Sequence, residues 1–299
     1  IEMLDLVGLQ RGDHSSSTFS SSFLGKVKTN DALIHVVRGF SDETVPHVDD
    51  TIDIVRDIKT LEDEFIYTDI EFVENRLEKL KKDVTRPKTK DEALKEQAVM
   101  ERWNAILQEE KPLRDLEFDE SDIKYLKNYQ PLSAKPLLIA LNLDEEDIEN
   151  ADVITEKIKA EYGNDKVMVE PFFAKIEMEL VQLEPEEKAM FMEEYGIKES
   201  ALSRLIRSAY ALLGLQSFFT VGEDECRAWT ITVGMTAQDS AGVIHTDFYN
   251  KFIRAEVIGY QDFMDCDGSS VKVKEKGLMR LEGKGYIVKD GDILNIRHG

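Results

Sequence analysis

The stretch Pro136-Leu-Leu-Ile-Ala-Leu-Asn142 holds five apolar residues in succession and no charged side chain. A short run of this kind is typical of a strand buried on both faces of a parallel sheet. A second run follows at residues 167–171, and residues 149–162 between the two have a helical pattern. A third run lies upstream at residues 32–37, with His35 inside it. This β-α-β order predicts an α/β domain whose parallel sheet is covered by helices.

A long charged helix is predicted over residues 59–84. Its apolar residues recur at steps of 4, 3, 4 and 3, which is the seam of a coiled coil: Ile66, Ile70, Val73, Leu77 and Leu80. Arg86-Pro87 ends this helix, and a second helix is predicted over residues 91–110. We therefore expect an antiparallel helical hairpin, residues 59–130, inserted into the α/β domain. Two ordinary core helices are the alternative, which the length of the first helix disfavours.

The last third of the chain has the pattern of a small mixed β module. Its charge is nearly balanced, with 12 basic and 13 acidic residues over 201–299. An Asp-Gly turn at 290–291 is predicted to join the last two strands. We expect an α/β domain over 1–58 and 131–216 and the β module over 217–299. The predicted strands are 218–221, 228–233, 252–258, 286–288 and 293–296.

The composition limits the classes of function. The chain has 299 residues and a formal net charge of −22 from 38 basic and 60 acidic side chains, which argues against nonspecific binding to bare nucleic acid. It has no run of about 18 apolar residues, so no transmembrane helix is expected, and no N-terminal signal. Two cysteines, Cys226 and Cys266, form no disulfide framework, so a reducing cytoplasm is expected.

Two short motifs carry candidate chemistry. Asp5 precedes Gly8 in a D-x-x-G pattern, in which P-loop NTPases hold Mg²⁺ through the Asp and approach the γ-phosphate through the Gly. On its own this pattern also fits a chance turn. Asn142 begins Asn-Leu-Asp-Glu145 at a strand end, where guanine-specific GTPases carry N-K-x-D. Leu143 and Glu145 replace the Lys and the Asp, which predicts weaker guanine specificity. The alternative is that Asn142 caps the next helix.

The order of these segments, followed by a dense C-terminal signature, resembles the YchF / Obg-like ATPase family over essentially the whole chain. The resemblance implies a Ras-like P-loop NTPase domain of α/β class, here N-terminally incomplete, with an inserted antiparallel coiled-coil hairpin. It also implies a C-terminal α+β domain of β-grasp (TGS) type. The signature comprises Phe218-Phe-Thr-Val-Gly-Glu223, Arg227-Ala-Trp-Thr230, Ala241-Gly-Val-Ile-His-Thr-Asp-Phe248 and Phe252-Ile-Arg-Ala-Glu-Val257.

The resemblance also implies roles for the phosphate side of a nucleotide site. Asp5 and Gly8 match the Walker B and switch II motif, with Asp5 as the Mg²⁺ ligand. Leu9 stands where Ras-like GTPases carry the Gln that positions water, and an apolar side chain cannot do so. His35, in the family's H-V-V-R motif, is then the candidate for orienting the water or accepting its proton near pH 7. The alternative is a hydrogen-bonded core histidine.

The base side of the site is implied by the same resemblance. Asn142, Leu143 and Glu145 match the family's N-x-x-E motif, which goes with ATP being accepted as well as or better than GTP. Phe173-Ala174-Lys175 falls at the last loop that contacts the base, with Ala174 as the candidate contact.

Two departures from the family bear on activity. No segment reads G-x-x-x-x-G-K-[ST], so we expect the P-loop to be absent from this chain and the chain alone to be inactive. Residues 14–22 are rich in Ser where the family's switch II is rich in Gly, and Ser allows fewer positive-φ conformations. A non-enzymatic module that binds the ribosome, RNA or a protein is therefore the alternative function.

The predicted hairpin tip has six basic residues against one acid, Asp83. A basic tip on an acidic protein suits docking on a ribosome, where the local patch outweighs net charge; a solvated helix end is the alternative. We expect two partners: ATP or GTP, and the ribosome, whose RNA or protein would contact the hairpin tip and the C-terminal TGS-like domain. We expect Mg²⁺ as cofactor and no membrane contact. The expected protein is a cytoplasmic monomer. The basic residues are Lys79, Lys81, Lys82, Arg86, Lys88 and Lys90.

Overall fold

The structure, a computed structural model, describes residues 2–6, 21–47, 49–197, 199–222 and 224–299. The chain divides into two compact units, Ile1–Leu212 and Leu213–Gly299. No helix in the described ranges is both long enough and apolar enough to cross a membrane.

The first unit contains a parallel three-stranded sheet in the order β1-β2-β3. Its strands are β1 (Leu33–Gly39), β2 (Leu137–Leu143) and β3 (Val167–Phe172). Residues 137–141 of β2 are fully buried, because strands flank β2 on both sides and side chains of both its faces are covered. The predicted α/β class and the three predicted strands are confirmed.

Eight helices accompany this sheet within the described part of the first unit. Both strand connections contain helices, as a parallel sheet requires. A 3₁₀ turn at Glu145–Asn150 precedes the helix that was predicted at 149–162. The helices are α1 (Ser21–Lys28), α2 (Ile54–Asp83), α3 (Lys90–Gln108), α4 (Glu120–Tyr129), α5 (Ala151–Tyr162), α6 (Ala174–Gln182), α7 (Pro185–Glu194) and α8 (Ala201–Leu212).

Helices α2 and α3 form the predicted antiparallel hairpin. The side chain of Asp53 accepts a hydrogen bond from the Arg56 amide and caps α2, so the helix begins five residues before its predicted start. The seam residues Ile66, Val73 and Leu80 are buried, as the heptad pattern predicts. They belong to a core of their own that also contains Met100, Trp103, Leu107, Leu113 and Tyr125.

Asp69 fastens α2 to the segment that leads into β2. Its buried carboxylate accepts hydrogen bonds from the Leu132 amide at 3.0 Å, the Ser133 amide at 2.8 Å and the Ser133 hydroxyl at 2.7 Å. Burial raises the pKa of this carboxyl, and the hydrogen bonds from Ser133 and Leu132 oppose that shift. The carboxylate of Asp69 is thus the acceptor for three hydrogen-bond donors at the junction of the hairpin and the sheet.

The second unit is a mixed five-stranded sheet in the order β5-β4-β8-β6-β7. Strands β4 and β8 pair in parallel and the other neighbours pair antiparallel. This arrangement confirms the predicted mixed β module. The strands are β4 (Leu215–Val221), β5 (Cys226–Thr232), β6 (Phe252–Gly259), β7 (Arg280–Glu282) and β8 (Asp292–His298), with helices α9 (Ala237–Ile244), α10 (Thr246–Asn250), α11 (Tyr260–Met264) and α12 (Ser270–Glu275).

One predicted strand is wrong. Residues 286–288 form only an isolated bridge between Ile287 and Thr236, and β7 pairs with β6 instead. The run of three residues forms no ladder, and a turn that contains hydrogen bonds to the side chain of Asp292 follows it. That carboxylate accepts from the Tyr286 hydroxyl at 2.8 Å and the Lys289 amide at 2.9 Å. Gly291 supplies the predicted turn with a φ of +79°.

We expect Asp69→Ala to lower the free energy of unfolding by about 3 kcal/mol, because it leaves buried donors without an acceptor. Asp63→Ala on the same helix is the control. Asp63 makes a partly exposed ion pair with Lys59 at 2.8 Å, and its loss should cost under about 1 kcal/mol. Urea unfolding followed by circular dichroism measures both values. Equal losses would show that Asp69 does not anchor the hairpin.

Candidate nucleotide site

The carboxyl ends of the three parallel strands of the first unit meet at one edge of the sheet. Ligands of open α/β sheets bind outside this edge. The residues at the edge are in register, since Arg38 lies opposite Asn142 and Asn142 lies opposite Phe172. The edge therefore brings together two of the predicted base-reading segments, the one after β2 and the one after β3.

Asn142 links these two segments directly. Its side-chain oxygen Oδ1 accepts a hydrogen bond from the Ala174 amide at 3.0 Å. Ala174 is the first residue of α6, so Asn142 satisfies an N-terminal amide of a helix that is distant in sequence. It makes no such contact with the 3₁₀ turn that directly follows its own strand. The alternative of a cap on the next helix is thus replaced by a contact across the site.

Glu145 and Lys175 form a second link between the same segments. Glu145 Oε1 lies 3.1 Å from Lys175 Nζ, and this carboxylate raises the pKa of the lysine. Lys175 is exposed, so its ammonium lies at the rim of the site. Lys175 lies in the segment 173–175 that the resemblance assigns to the last base-contacting loop, but its pairing with Glu145 was not predicted.

Leu143 lies between these residues but does not project toward the site. Its side chain is buried in the sheet core and packs against Gly39, where a Cβ added to the glycine would lie 2.7 Å from the Leu143 methyl carbon Cδ2. A larger residue at position 39 would therefore fit only if the side chain of Leu143, which occupies the usual Lys position, moved. Only the main chain of Leu143 remains available to a nucleotide.

Arg38 organises the loop that follows β1 at the same edge. Its guanidinium donates to the carbonyl oxygens of Phe40 at 3.1 Å, Asp42 at 3.0 Å and Val45 at 2.7 Å. Hydrogen bonds from Thr44 lower the pKa of Asp42, and the charges of Arg38 and Lys175 act in the same direction. Sequence reasoning did not single out Arg38; its position in H-V-V-R at a strand end was the available signal.

His35 lies in the interior of β1, away from this edge. It pairs in register with Ile139, three residues before Asn142, which is about 10 Å along the strand. Its ring atom Nδ1 is buried and has no hydrogen-bond partner. Burial lowers the pKa of His35 to about 4, and the charge of Asp57 opposes that shift. The ring is therefore neutral at pH 7, and its role in catalysis stays a prediction.

The predicted metal ligand Asp5 is exposed and lies outside any helix or strand. Gly8, Leu9 and residues 14–20 of the Ser-rich run lie outside the described residues. Among the residues that the structure describes, no group of three or more His, Cys, Asp or Glu side chains is placed to hold a metal. A single free carboxylate nevertheless fits Mg²⁺, which keeps several waters and takes one or two carboxylates together with substrate phosphates.

The turn between α2 and α3 forms a separate basic surface. Its six cationic side chains are all exposed, and Arg86 pairs with Asp83 at 3.1 Å. We call this surface the basic tip, comprising Lys79, Lys81, Lys82, Arg86, Lys88 and Lys90.

Comparisons with known proteins find related proteins that match nearly the whole chain. The chain is 41% identical to "Ribosome-binding ATPase YchF" of Bacillus subtilis, covering 99% of this chain and 81% of that protein. It is 36% identical to "Obg-like ATPase 1" of Oryza sativa subsp. japonica, covering 98% and 74%. The Schizosaccharomyces pombe YchF GTPase structure superposes with a TM-score of 0.79 at 30% identity, covering 96% and 78%. The family model YchF-GTPase_C, described as a protein of unknown function (DUF933), matches residues 215–299.

The buried His35 predicts an acid-dependent loss of stability. Between pH 6.5 and about 4 the unfolded chain binds a proton at this residue and the folded chain does not, so the free energy of unfolding falls as the pH is lowered. We expect this fall to be about 3 kcal/mol larger in the wild type than in His35→Gln. Urea titrations at several pH values measure it. His245→Gln, at an exposed histidine, should keep the wild-type profile, and a wild-type profile for His35→Gln would contradict the assignment.

Proposed function

Because the chain belongs to the YchF / Obg-like ATPase family, we propose that it binds ribosomes and that, together with a P-loop segment which its sequence does not contain, it hydrolyses nucleoside triphosphates, ATP in preference to GTP. The names of the curated relatives support both parts of this proposal. The observation that carries the base preference is the pair Glu145–Lys175 at the carboxyl edge of the sheet, with Nζ and Oε1 at 3.1 Å.

The base preference follows from hydrogen-bond chemistry. A guanine edge presents two adjacent N–H donors, and a carboxylate with both oxygens free accepts them together. Glu145 is one methylene longer than the usual Asp, and the Lys175 ammonium lies 3.1 Å from its oxygen Oε1, where it competes with a base for that oxygen. This carboxylate is thus less suited to hold a guanine edge, while Asn142 and Ala174 fix the surrounding loops for either purine. The expected result is a site that does not reject adenine.

The phosphate side of the proposal rests on fewer residues. Asp5 would hold Mg²⁺, which when bound neutralises charge on the phosphates. The chain contributes mainly positioning, because Arg38 fixes the loop after β1 and Asn142 fixes the start of α6 at the same edge. His35 is neutral at pH 7, so it acts on water only as a hydrogen-bonding group or proton acceptor. It does not act as an imidazolium acid.

The ribosome part of the proposal is supported by the basic tip. The protein as a whole carries a charge of −22, so a nucleic-acid surface repels most of it. The basic tip places several exposed cations at one end of a rigid hairpin, where they contact phosphates without bringing the acidic body close.

We expect Glu145→Asp to shift the ratio of ATP affinity to GTP affinity toward GTP by about tenfold, in the range of one good bidentate base contact. Isothermal titration of both nucleotides with Mg²⁺ measures the ratio. Glu146→Asp, at the exposed neighbouring residue, should leave it unchanged. An unchanged ratio in Glu145→Asp would mean that Glu145 does not read the base. Failure of both nucleotides to bind would favour a non-enzymatic binding module.

We expect the double variant Lys81→Glu and Lys82→Glu to weaken ribosome binding at least about tenfold, because each loses a phosphate contact and adds repulsion. Co-sedimentation with ribosomes at two salt concentrations measures affinity and salt dependence. The control is Lys157→Glu with Lys159→Glu on α5, which changes the net charge equally at another surface. If both double variants bind alike, the basic tip is not the docking surface.

A further inference from the structure

The second unit contains a cavity of about 730 Å³ at the end of its sheet where β6 ends and β7 and β8 begin. All its lining residues belong to this unit, so it shares none with the candidate nucleotide site or the basic tip. A volume of this size is within the range of small-molecule sites. We call it the Tyr260 cavity, and its lining includes Phe219, Tyr260, Arg280, Lys289, Asp290 and Asp292.

Two carboxylates of the cavity accept hydrogen bonds from the protein itself. Asp292 is only 3% exposed and accepts from the Tyr286 hydroxyl at 2.8 Å and the Lys289 amide at 2.9 Å. Asp290 Oδ1 accepts from the Ser217 amide of β4 at 2.8 Å. These bonds hold the loop that precedes β8 against β4, so this wall of the cavity is formed before any ligand binds.

Two cations line the same cavity and keep donors available. Arg280 Nη2 contacts the Tyr286 hydroxyl at 3.2 Å and Asp292 Oδ1 at 3.3 Å, and Nη1 lies 3.5 Å from Glu282. A guanidinium has five N–H donors, so these contacts do not use all of them, and the side chain is 42% exposed. Lys289 is exposed as well. Arginine and lysine donors of this kind bind phosphate.

An aromatic ring completes the lining. Tyr260 is 50% exposed, and its ring packs against that of Phe219 with the centroids 5.9 Å apart. Phe219 thus holds a ring whose side chain remains half accessible. An accessible aromatic face stacks on any nucleobase, because every base has a π-face.

We infer that the Tyr260 cavity binds a nucleotide, with the base stacked on Tyr260 and the phosphate held by Arg280 and Lys289. A bare phosphate would leave the aromatic ring unused, and a neutral aromatic molecule would leave the two cations unused. A free nucleoside monophosphate and a nucleotide of a single RNA strand offer the same chemistry. The inference does not rest on the proposed function, because the cavity uses no residue of the first unit and requires neither Mg²⁺ nor a P-loop.

Two probes distinguish these sources: AMP labelled with an N-methylanthraniloyl group, and a single-stranded RNA of about six nucleotides with a 5′ fluorescein. Fluorescence anisotropy at about 0.15 M salt measures their binding to the full chain. The chain carries Lys81→Glu and Lys82→Glu in all samples, so that the basic tip does not bind the RNA. Saturable binding of labelled AMP supports a free nucleotide, and binding of the RNA alone supports a nucleotide within a strand. Binding of neither probe overturns the inference.

The variant that tests the cavity is Tyr260→Leu with Lys289→Gln, which removes the aromatic face and one cation. We expect at least about tenfold weaker binding. The matched control is Tyr249→Leu with Lys284→Gln, at exposed residues of the same unit, and it should bind as the unaltered cavity does. Circular dichroism checks that both variants fold. Equal affinity of the two variants overturns the inference.

Two milder variants keep the walls of the cavity intact. Tyr260→Phe retains the ring and should retain affinity within about twofold; a tenfold loss would overturn the stacking assignment. Asp290→Asn retains Oδ1 as the acceptor for the Ser217 amide and removes a negative charge. It should strengthen binding by about threefold, because a carboxylate repels a phosphate nearby. Unchanged or weaker binding would overturn the placement of the phosphate.

Discussion

Burial of β2 between β1 and β3 is the constraint on which the first unit depends. Residues 137–141 have no exposed surface, so their position is fixed by packing from both faces and by hydrogen bonds from both neighbouring strands. At the carboxyl end of β2, Asn142 accepts a hydrogen bond from the Ala174 amide, and Glu145 forms an ion pair with Lys175. The rigid strand thus places polar groups at the sheet edge with little conformational freedom, and a binding site requires this kind of preorganisation.

The hairpin is attached to this sheet through buried polar contacts as well as apolar packing. Asp69 collects three donors from residues 132 and 133, and Lys135 donates to the carbonyls of Lys28 at 2.8 Å and Asn30 at 2.6 Å. Arg114, also buried, donates to the Lys135 carbonyl at 3.0 Å and pairs with Glu62. Hydrogen bonds and ion pairs are directional, so these contacts fix the orientation of α2 relative to the sheet more strictly than apolar packing alone does.

Charge is distributed so that the acidic chain presents surfaces of opposite sign. The basic tip lies at the turn of the hairpin, whereas residues 174–197, which follow the third strand of the sheet, contain seven acidic side chains and two basic ones. Because exposed charges are screened over about 8 Å at physiological salt, each surface acts on its own neighbourhood rather than through the net charge. A single net value therefore describes the solubility of this protein better than its choice of partners.

The sequence alone was enough to predict the parallel sheet and the hairpin seam, because local patterns of apolar residues carry that information. It also placed Asn142 and Glu145 after a strand end, and their contact with a base stays a prediction. It failed at residues 286–288, where the contacts of Asp292 with Tyr286 and Lys289 are shown by no local pattern. It also did not single out Arg38 or predict the pairing of Lys175 with Glu145, and it did not indicate that His35 lies about 10 Å from the edge along its strand. Those facts depend on which side chains meet across strands distant in sequence, and only tertiary packing decides that.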